Sequence, residues 1–566
     1  MHPVELILGL ILVTGALALV AARLKVPYPI FLVIGGALLS LVPNLPRVRL
    51  EPGIVFLLFL PPLLYYAGLQ TSWRDFWANR RPIGLLAIGC VLFTTVLVAG
   101  AAVLVLKMSW GPALVLGAIV SPPDAVAATA IMSRLRLPKR IIVVLEGESL
   151  VNDATALVAY RFAVAAVATG VFSLSGAIGQ FFLLAIGGVA IGYAVGVAVV
   201  WIRPRLKDEG VESVVSLMTP WIAYLPAEHA GTSGVLAAVT AGIYIGRRLP
   251  LITGSRTRLK LTGIWEILVF LLNALVFILI GLQLPDIRAQ LSAGGMIDGQ
   301  TGGTALRHLL VGALVISVVA VAVRMLWVIP ATYLPRILIP SLARRDPAPD
   351  KGAVFMVAWT GMRGIVSLAA ALAVPNMMAD GKTPFPHRDL IILMTFAVIL
   401  FTLVVQGLSL PFVIKALRLE ADGIEEHEEL RARYEAAHAA LVRIETLVAL
   451  GEASPGMADR MAQDYRWEAR ELGKRIAIVR RAEGDPEPRH KDYTLAAVTE
   501  TDVCESVDAL DGQPIMTCEN SEALHREVLD AKRRMLIKLR NDGVIGDDVQ
   551  RRIQEELDHE ESQMHA

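Results

Sequence analysis

The chain has 566 residues, is 55% hydrophobic with a mean hydropathy of +0.58, and carries a formal net charge of +1. A composition this apolar excludes a soluble globular protein and marks an all-α polytopic membrane protein, and near-neutrality gives no case for nucleic-acid binding. The ten histidines form neither an HExxH nor a clustered pattern, so no transition-metal site is expected, and the three cysteines read as reduced thiols: Cys90 lies in an apolar run, Cys504 and Cys518 in a polar tail.

Taken in order, about thirteen apolar segments are long enough to span a membrane, separated by charged or Pro/Gly-rich breaks: about 4–23, 28–43, 53–70, 82–107, 112–131, 141–168, 176–202, 211–226, 231–246, 263–284, 305–334, 352–374 and 389–417. The first has no basic residue in front of it and reads as a retained helix, not a cleavable signal. The eighth and ninth are short enough to form one re-entrant hairpin instead, which leaves the parity of the remaining spans unchanged. Lys and Arg are roughly three times as abundant in the odd-numbered loops as in the even ones. The strongest basic markers are Arg134, Arg136, Lys139 and Arg140, and then Arg247, Arg248, Arg256, Arg258 and Lys260. This bias places the odd loops in the cytoplasm and the amino terminus outside.

Two segments are interrupted in mid-span, at Ser121-Pro122-Pro123-Asp124 and at Gly361-Met362-Arg363-Gly364, one in each half of the chain. Proline removes a backbone donor and glycine weakens a helix, so the freed backbone groups need ions, side chains or water. Paired interruptions of this kind point to a transporter site.

The sixth segment contains Glu146-Gly-Glu148-Ser149-Leu-Val-Asn152-Asp153. Ionisable groups in hydrocarbon cost roughly 2.5–3.5 kcal/mol each on insertion scales, so these should face protein or a water-filled path. Ser149 and Asp153 are i,i+4 neighbours, Asn152 lies beside them and Glu148 one turn below it, so one side of this helix is polar. A carboxylate in a partly dehydrated cavity holds either a proton or a small cation but not both well, which makes Asp153 the candidate carrier of an exchange. The alternative is a permanent ion pair, but the nearest base along the helix, Arg161, is two turns away. Asn152 donates and accepts without titrating and can hold a loop carbonyl.

Asp124, at the first break, reads either as a charge neutralising broken helix ends or as a direct cation ligand. Arg363, which stays charged, needs a buried carboxylate such as Glu148 or Glu146. Arg324 reads as a cavity or interface charge and Glu266 as a helix-end charge. Asn273 and Gln406 read as interhelical amides. After Leu419 the composition turns to alternating charges with helical stretches at about 424–450, 457–482 and 520–560, a cytoplasmic helical domain that is either a solvated appendage or a regulatory module.

Together Ser121-Pro-Pro-Asp-Ala-Val-Ala127, Glu146-Gly-Glu-Ser-Leu-Val-Asn-Asp153 and Gly361-Met-Arg-Gly364 resemble the monovalent cation/proton antiporters of the first cation:proton antiporter family, the bacterial sodium/proton exchanger type. The resemblance covers roughly residues 4–417, including Leu60-Pro-Pro-Leu-Leu-Tyr-Tyr-Ala-Gly68 and Phe270-Leu-Leu-Asn-Ala-Leu-Val-Phe277.

It implies a homodimer in a bacterial inner membrane, with inverted repeats and crossed discontinuous helices. A core (about 82–168 and 305–417) would move against a dimerisation part (about 4–70 and 176–284), followed by a cytoplasmic tail, 418–566. Asp153 would bind cation and proton, with Asn152, the Ser149 hydroxyl and the Pro123 carbonyl completing the site. Asp124 would stabilise the crossing and Glu148 and Arg363 would form a structural salt bridge. The Asn-Asp pair implies electroneutral exchange of sodium, or else potassium or lithium, for protons, with no cofactor and no enzymatic activity.

The sequence departs from the pattern in two places. Tyr66 stands where some members carry a cation-binding glutamate, and Pro123-Asp124-Ala125 where many have Thr-Asp-Pro. Outside the family, a cation channel, an intramembrane hydrolase using Asp124 and Asp153, and a membrane-anchored scaffold are the alternatives. No GxxxxGK[ST] loop supports ATP coupling, and neither aspartate has the Gly-x-Gly-Asp context of a peptidase dyad.

Overall fold

The computed structural model describes residues 3–24, 26–42, 52–132, 137–170, 174–206, 208–283, 303–378, 382–419, 423–482 and 521–564. Arg134, Arg136, Cys504, Cys518 and the stretch 483–519 lie outside the described residues. Among those described, the regular structure is helical, apart from one isolated antiparallel bridge between Met377 and Pro384. A helix is what an apolar run must form in lipid, since it satisfies every backbone group within the segment. Contacts divide the chain into two units: Met1–Ile252 with Leu261–Ala421, and Thr253–Lys260 with Asp422–Ala566.

Each of the thirteen apolar segments contains helix among its described residues, the fifth and twelfth in two pieces. They are α1 (Pro3–Leu24), α2 (Tyr28–Leu39), α3 and α4 (Pro52–Leu58 and Leu60–Gln70), then, after the short α5 (Trp73–Ala78), α6 (Arg80–Gly84), which runs through a π-helical turn into α7 (Val91–Leu106). Next come α8 (Trp110–Val120), α9 (Ala125–Met132), α10 (Lys139–Thr169), α11 (Leu174–Ile202), α12 (Glu209–His229), α13 (Gly234–Ile252) and α14 (Ser255–Leu282). The last are α15 (Gly303–Leu338), the short α16 (Pro340–Arg345), α17 (Lys351–Trp359), α18 (Ile365–Leu372), α19 (Arg388–Phe401) and, after a second π-helical turn, α20 (Gly407–Leu417). Among the described residues, six continuous helical stretches are long and apolar enough to cross a membrane by length and composition. The eighth and ninth segments are separate helices, α12 and α13.

Small residues set how closely these helices pack. A Cβ on Gly242 of α13 would overlap the Tyr65 carbonyl of α4, and one on Gly68 of α4 would lie 2.6 Å from the Val239 carbonyl of α13. The two backbones therefore touch, as membrane helices do where glycine lets them. Around α8 the core is Val115, Leu116, Ile119 and Val120 packed with Ile391, Met394 and Val398 of α19. Beside it, Met362, Leu368, Phe396, Ile399 and Leu403 form a second apolar cluster, so both interrupted segments are walled by side chains and not by lipid.

The second unit contains α21 (Ile424–Ala449), α22 (Pro455–Ala482), α23 (Ser521–Asn541) and α24 (Asp547–Met564). Alanines 432, 436 and 439 let α21 pack closely on Leu529, Leu536, Ile553 and Leu557. Within this unit Arg258 grips the buried Asp558 with two nitrogens, at 2.6 and 2.7 Å, and Arg533 reaches the same carboxylate at 3.0 Å.

Candidate functional site

The two interruptions meet. α8 stops at Val120, α9 starts at Ala125, α17 stops at Trp359 and α18 starts at Ile365, leaving two short non-helical stretches. The Asp124 amide donates to the Met362 carbonyl at 2.6 Å, so each break supplies a backbone partner to the other. Four helix ends converge there, and their unpaired amides and carbonyls set the local electrostatics.

Asp124 serves the amide ends. Its Oδ1 accepts from Val126 N–H at 2.8 Å, in the first turn of α9, and its carboxylate also accepts from the Ile365 amide at the start of α18. The approach leaves no room for a side chain opposite: a Cβ on Gly364 would overlap Oδ2 of Asp124. That is the physical reason for glycine at this position.

Arg363 serves the carbonyl ends. Its Nε donates to Val120 O, the last residue of α8, at 3.1 Å. Its Nη2 donates to Ala320 O of α15 at 3.1 Å, and its Nη1 to Gly361 O. A buried guanidinium surrounded by carbonyls is favoured by the negative end of the helix dipole. Thr402 Oγ1 accepts the Arg363 amide at 3.2 Å, and Gln406 Nε2 donates to Trp359 O, the end of α17, at 2.8 Å.

The expected salt bridge between Glu148 and Arg363 is not formed. Glu148 pairs with Arg324, Nη1 to Oε1 at 2.5 Å and Nη2 to Oε2 at 2.8 Å, and Arg324 also donates to Val357 O from Nε at 3.2 Å and from Nη2 at 3.0 Å. Both side chains are 1% exposed. The reason is the carbonyl cluster: it already engages all three nitrogens of the Arg363 guanidinium, whereas Arg324, in the middle of α15, faces α10 with both terminal nitrogens. The sequence reads Arg324 as a cavity or interface charge without a named partner, and the signal for a pairing is its burial cost in mid-span.

Asp153 lies in the middle of α10, 7% exposed. Among the described residues no hydrogen bond or ion pair holds its carboxylate, and Asp124 is its nearest acidic influence. Beside it, Asn152 is fully buried and donates from Nδ2 to Pro123 O at 3.0 Å, which fixes α10 against the first break. Its Oδ1 has no partner. Ser149 is one turn below Asp153 and partly exposed. Tyr66 is held elsewhere, stacked on Trp265 with ring centres 5.8 Å apart, its hydroxyl accepting from Gln70 at 2.9 Å. The acceptors that this stretch of α10 and the first break carry are oxygens: the Asp153 carboxylate, the Asn152 amide oxygen, the Ser149 hydroxyl and the Pro123 carbonyl. That donor set suits a hard monovalent cation or a proton.

The family model for the transmembrane sodium/hydrogen exchanger matches residues 9–416. An uncharacterized Na(+)/H(+) exchanger of Mycobacterium tuberculosis is 34% identical over 570 residues, covering 99% of this chain and 97% of its own. A sodium, potassium, lithium and rubidium/H(+) antiporter of Bacillus subtilis is 34% identical over 399 residues, 69% of this chain and 58% of its own. Among solved structures, the sodium proton antiporter MjNhaP1 from Methanocaldococcus jannaschii has a TM-score of 0.55 at 18% identity, covering 74% of this chain and 98% of its own, a likeness of fold.

Proposed function

We propose a function from one premise: this chain belongs to the transmembrane sodium/hydrogen exchanger family. It is an integral multi-pass membrane protein and a transporter of the sodium/proton exchanger type, not an enzyme. Within that family we read it as a secondary antiporter in which Asp153 binds a monovalent cation and a proton in competition. The observation that carries this reading is a buried aspartate without a partner, beside an asparagine oxygen that also has none.

An ionised carboxylate moved through a low-dielectric barrier is costly unless its charge is compensated. Loaded with a cation or with a proton, Asp153 is neutral, and bare it is not. Alternation between the two faces is therefore favoured only for the loaded carrier, which couples the two flows. Both loaded forms have the same charge, since Asn152 does not titrate, so the exchange is one for one and electroneutral. Asn152 positions Asp153 and holds the Pro123 carbonyl. Ser149 and that carbonyl complete the cation's ligands, while Asp124, Arg363 and the Glu148–Arg324 pair keep the crossing assembled.

The core, about 82–168 and 305–417, carries Asp153 past a dimerisation part, about 4–70 and 176–284, in a homodimer. The basic loops put the amino terminus outside and the tail, 418–566, in the cytoplasm. Sodium is the favoured cation, and potassium the alternative, because Tyr66 adds no second charge to select between them.

The test is internal pH in proteoliposomes after addition of sodium, then potassium, with membrane potential clamped and unclamped. Cation-driven proton movement that disappears in Asp153→Asn supports the mechanism, and a rate indifferent to the clamp supports one-for-one coupling. An Asp153→Asn protein exchanging at normal rate would sink it, and net current would move the reading to a channel.

A further inference from the structure

α10 carries a further charge eight residues beyond Asp153. Arg161 lies about 12 Å further along the helix, at the end away from Lys139. Its Nη2 donates to Glu228 Oε2 of α12 at 2.9 Å. The other oxygen, Oε1, accepts from Gly234 N–H at 3.1 Å, at the start of α13. Glu228 is thus held in place by its own two helices without help from Arg161.

A cavity of about 300 Å³ lies beside this pair. Ala154, Leu157, Val158 and Arg161 line it from α10, and Glu228 lines it from α12. At about 30 Å³ of liquid per molecule, that volume takes several waters or a hydrated cation. Arg161 is 49% exposed and Glu228 28%, so the cavity meets solvent at this pair, and Ala154, also on its wall, is the chain neighbour of buried Asp153.

We propose that Glu228 is a docking carboxylate for the monovalent cation on the face opposite the tail, and that Arg161 is a tethered cation occupying it between turnovers. The inference rests on the reading of Asp153 as carrier. An ion pair this exposed is weak, so a solvent cation displaces the guanidinium at little cost. A fixed carboxylate at the mouth of a low-dielectric cavity concentrates cations there, and a neighbouring guanidinium opposes it. The two residues therefore act with opposite sign on one parameter, the half-saturating cation concentration on one face. A latch joining α10 to α12 would act differently, because losing either partner breaks the same bond.

The experiment uses the full chain in proteoliposomes, with orientation sorted by protease access to the tail and sodium varied on each face in turn. Glu228→Gln is expected to raise the half-saturating sodium concentration on the face opposite the tail about 3- to 10-fold, and Arg161→Gln to lower it. The maximal rate and the tail-face value should be unchanged in both. Shifts of the same sign, a change in maximal rate alone, or no shift overturns the proposal. Thermal unfolding of each variant separates misfolding from lost docking, with Arg161→Lys keeping the charge should Arg161→Gln fail to fold. Asp153→Asn, run in parallel, tests the carrier itself: exchange persisting there condemns that reading, whatever Glu228 does.

Discussion

Arg324 and Glu148 form a two-pronged ion pair between α15 and α10, at 2.5 and 2.8 Å, with both side chains 1% exposed. Val357 O takes two further Arg324 donors and so ties in α17. The pair joins the helix of Asp153 to one of the two broken segments without touching Asp153 itself.

Removing one partner leaves the other charge buried and uncompensated. Arg324→Met or Glu148→Gln is expected to cost about 3–5 kcal/mol of stability, read as a lower thermal unfolding midpoint in detergent. The double variant should recover most of the loss. Losses that simply add would mean the two side chains act independently.

Gly364→Ala places a methyl on the Asp124 carboxylate. Asp124 must then release the start of α9 or of α18, so exchange should fall by at least tenfold and the protein should unfold at lower temperature. Gly100 of α7, in contrast, faces open space, with nothing within 4 Å of where a methyl group would project. Gly100→Ala should therefore leave exchange at its normal rate, with stability unchanged or raised by up to about 1 kcal/mol from helix propensity.

Asn152→Leu keeps the bulk but removes the donor to Pro123 O. A buried carbonyl left without its partner costs about 1–3 kcal/mol, and the first break is no longer tied to α10. Cation half-saturation should rise on both faces, because the site travels with the carrier. A shift confined to one face would assign Asn152 to an access path instead.

Outside the membrane, Asp346 accepts from Arg81 at 2.7 Å, Arg140 at 2.7 Å and Arg336 at 2.9 Å, gathering α6, α10 and α15 on one carboxylate. Partial burial alone would push this carboxyl up, but the hydrogen bonds and charges of Arg140 and Arg336 outweigh it and hold it below the ordinary 3.8. A depressed folded-state value means the stabilisation is complete above the unfolded value and lost as pH falls through the folded one. The gap in unfolding midpoint between the native protein and Asp346→Asn should stay constant from about pH 6 to 8 and close below about pH 4. A gap that varies across the neutral range would show that another group titrates with it.

Where one segment alone decides the outcome, the sequence was sufficient. The thirteen apolar stretches had to be helices because lipid offers backbone groups no other partner. The polar face of Ser149, Asn152 and Asp153 follows from helical spacing, and the paired interruptions follow from Pro122, Pro123, Gly361 and Gly364. Which charge meets which was not legible. Glu148 could reach either Arg324 or Arg363 as far as composition goes, and both arginines are buried in apolar segments. Only the folded chain brings the carbonyl ends of α8 and the second break onto Arg363, which engages each of its three nitrogens and leaves Arg324 to neutralise Glu148. In the same way Arg161 reads along its own helix as too distant to pair with Asp153, and its actual partner, Glu228, comes from α12. Periodicity along a helix is local and written in the order of residues. Pairing between charges far apart in the chain is settled by where helix ends converge and by which donors are already taken.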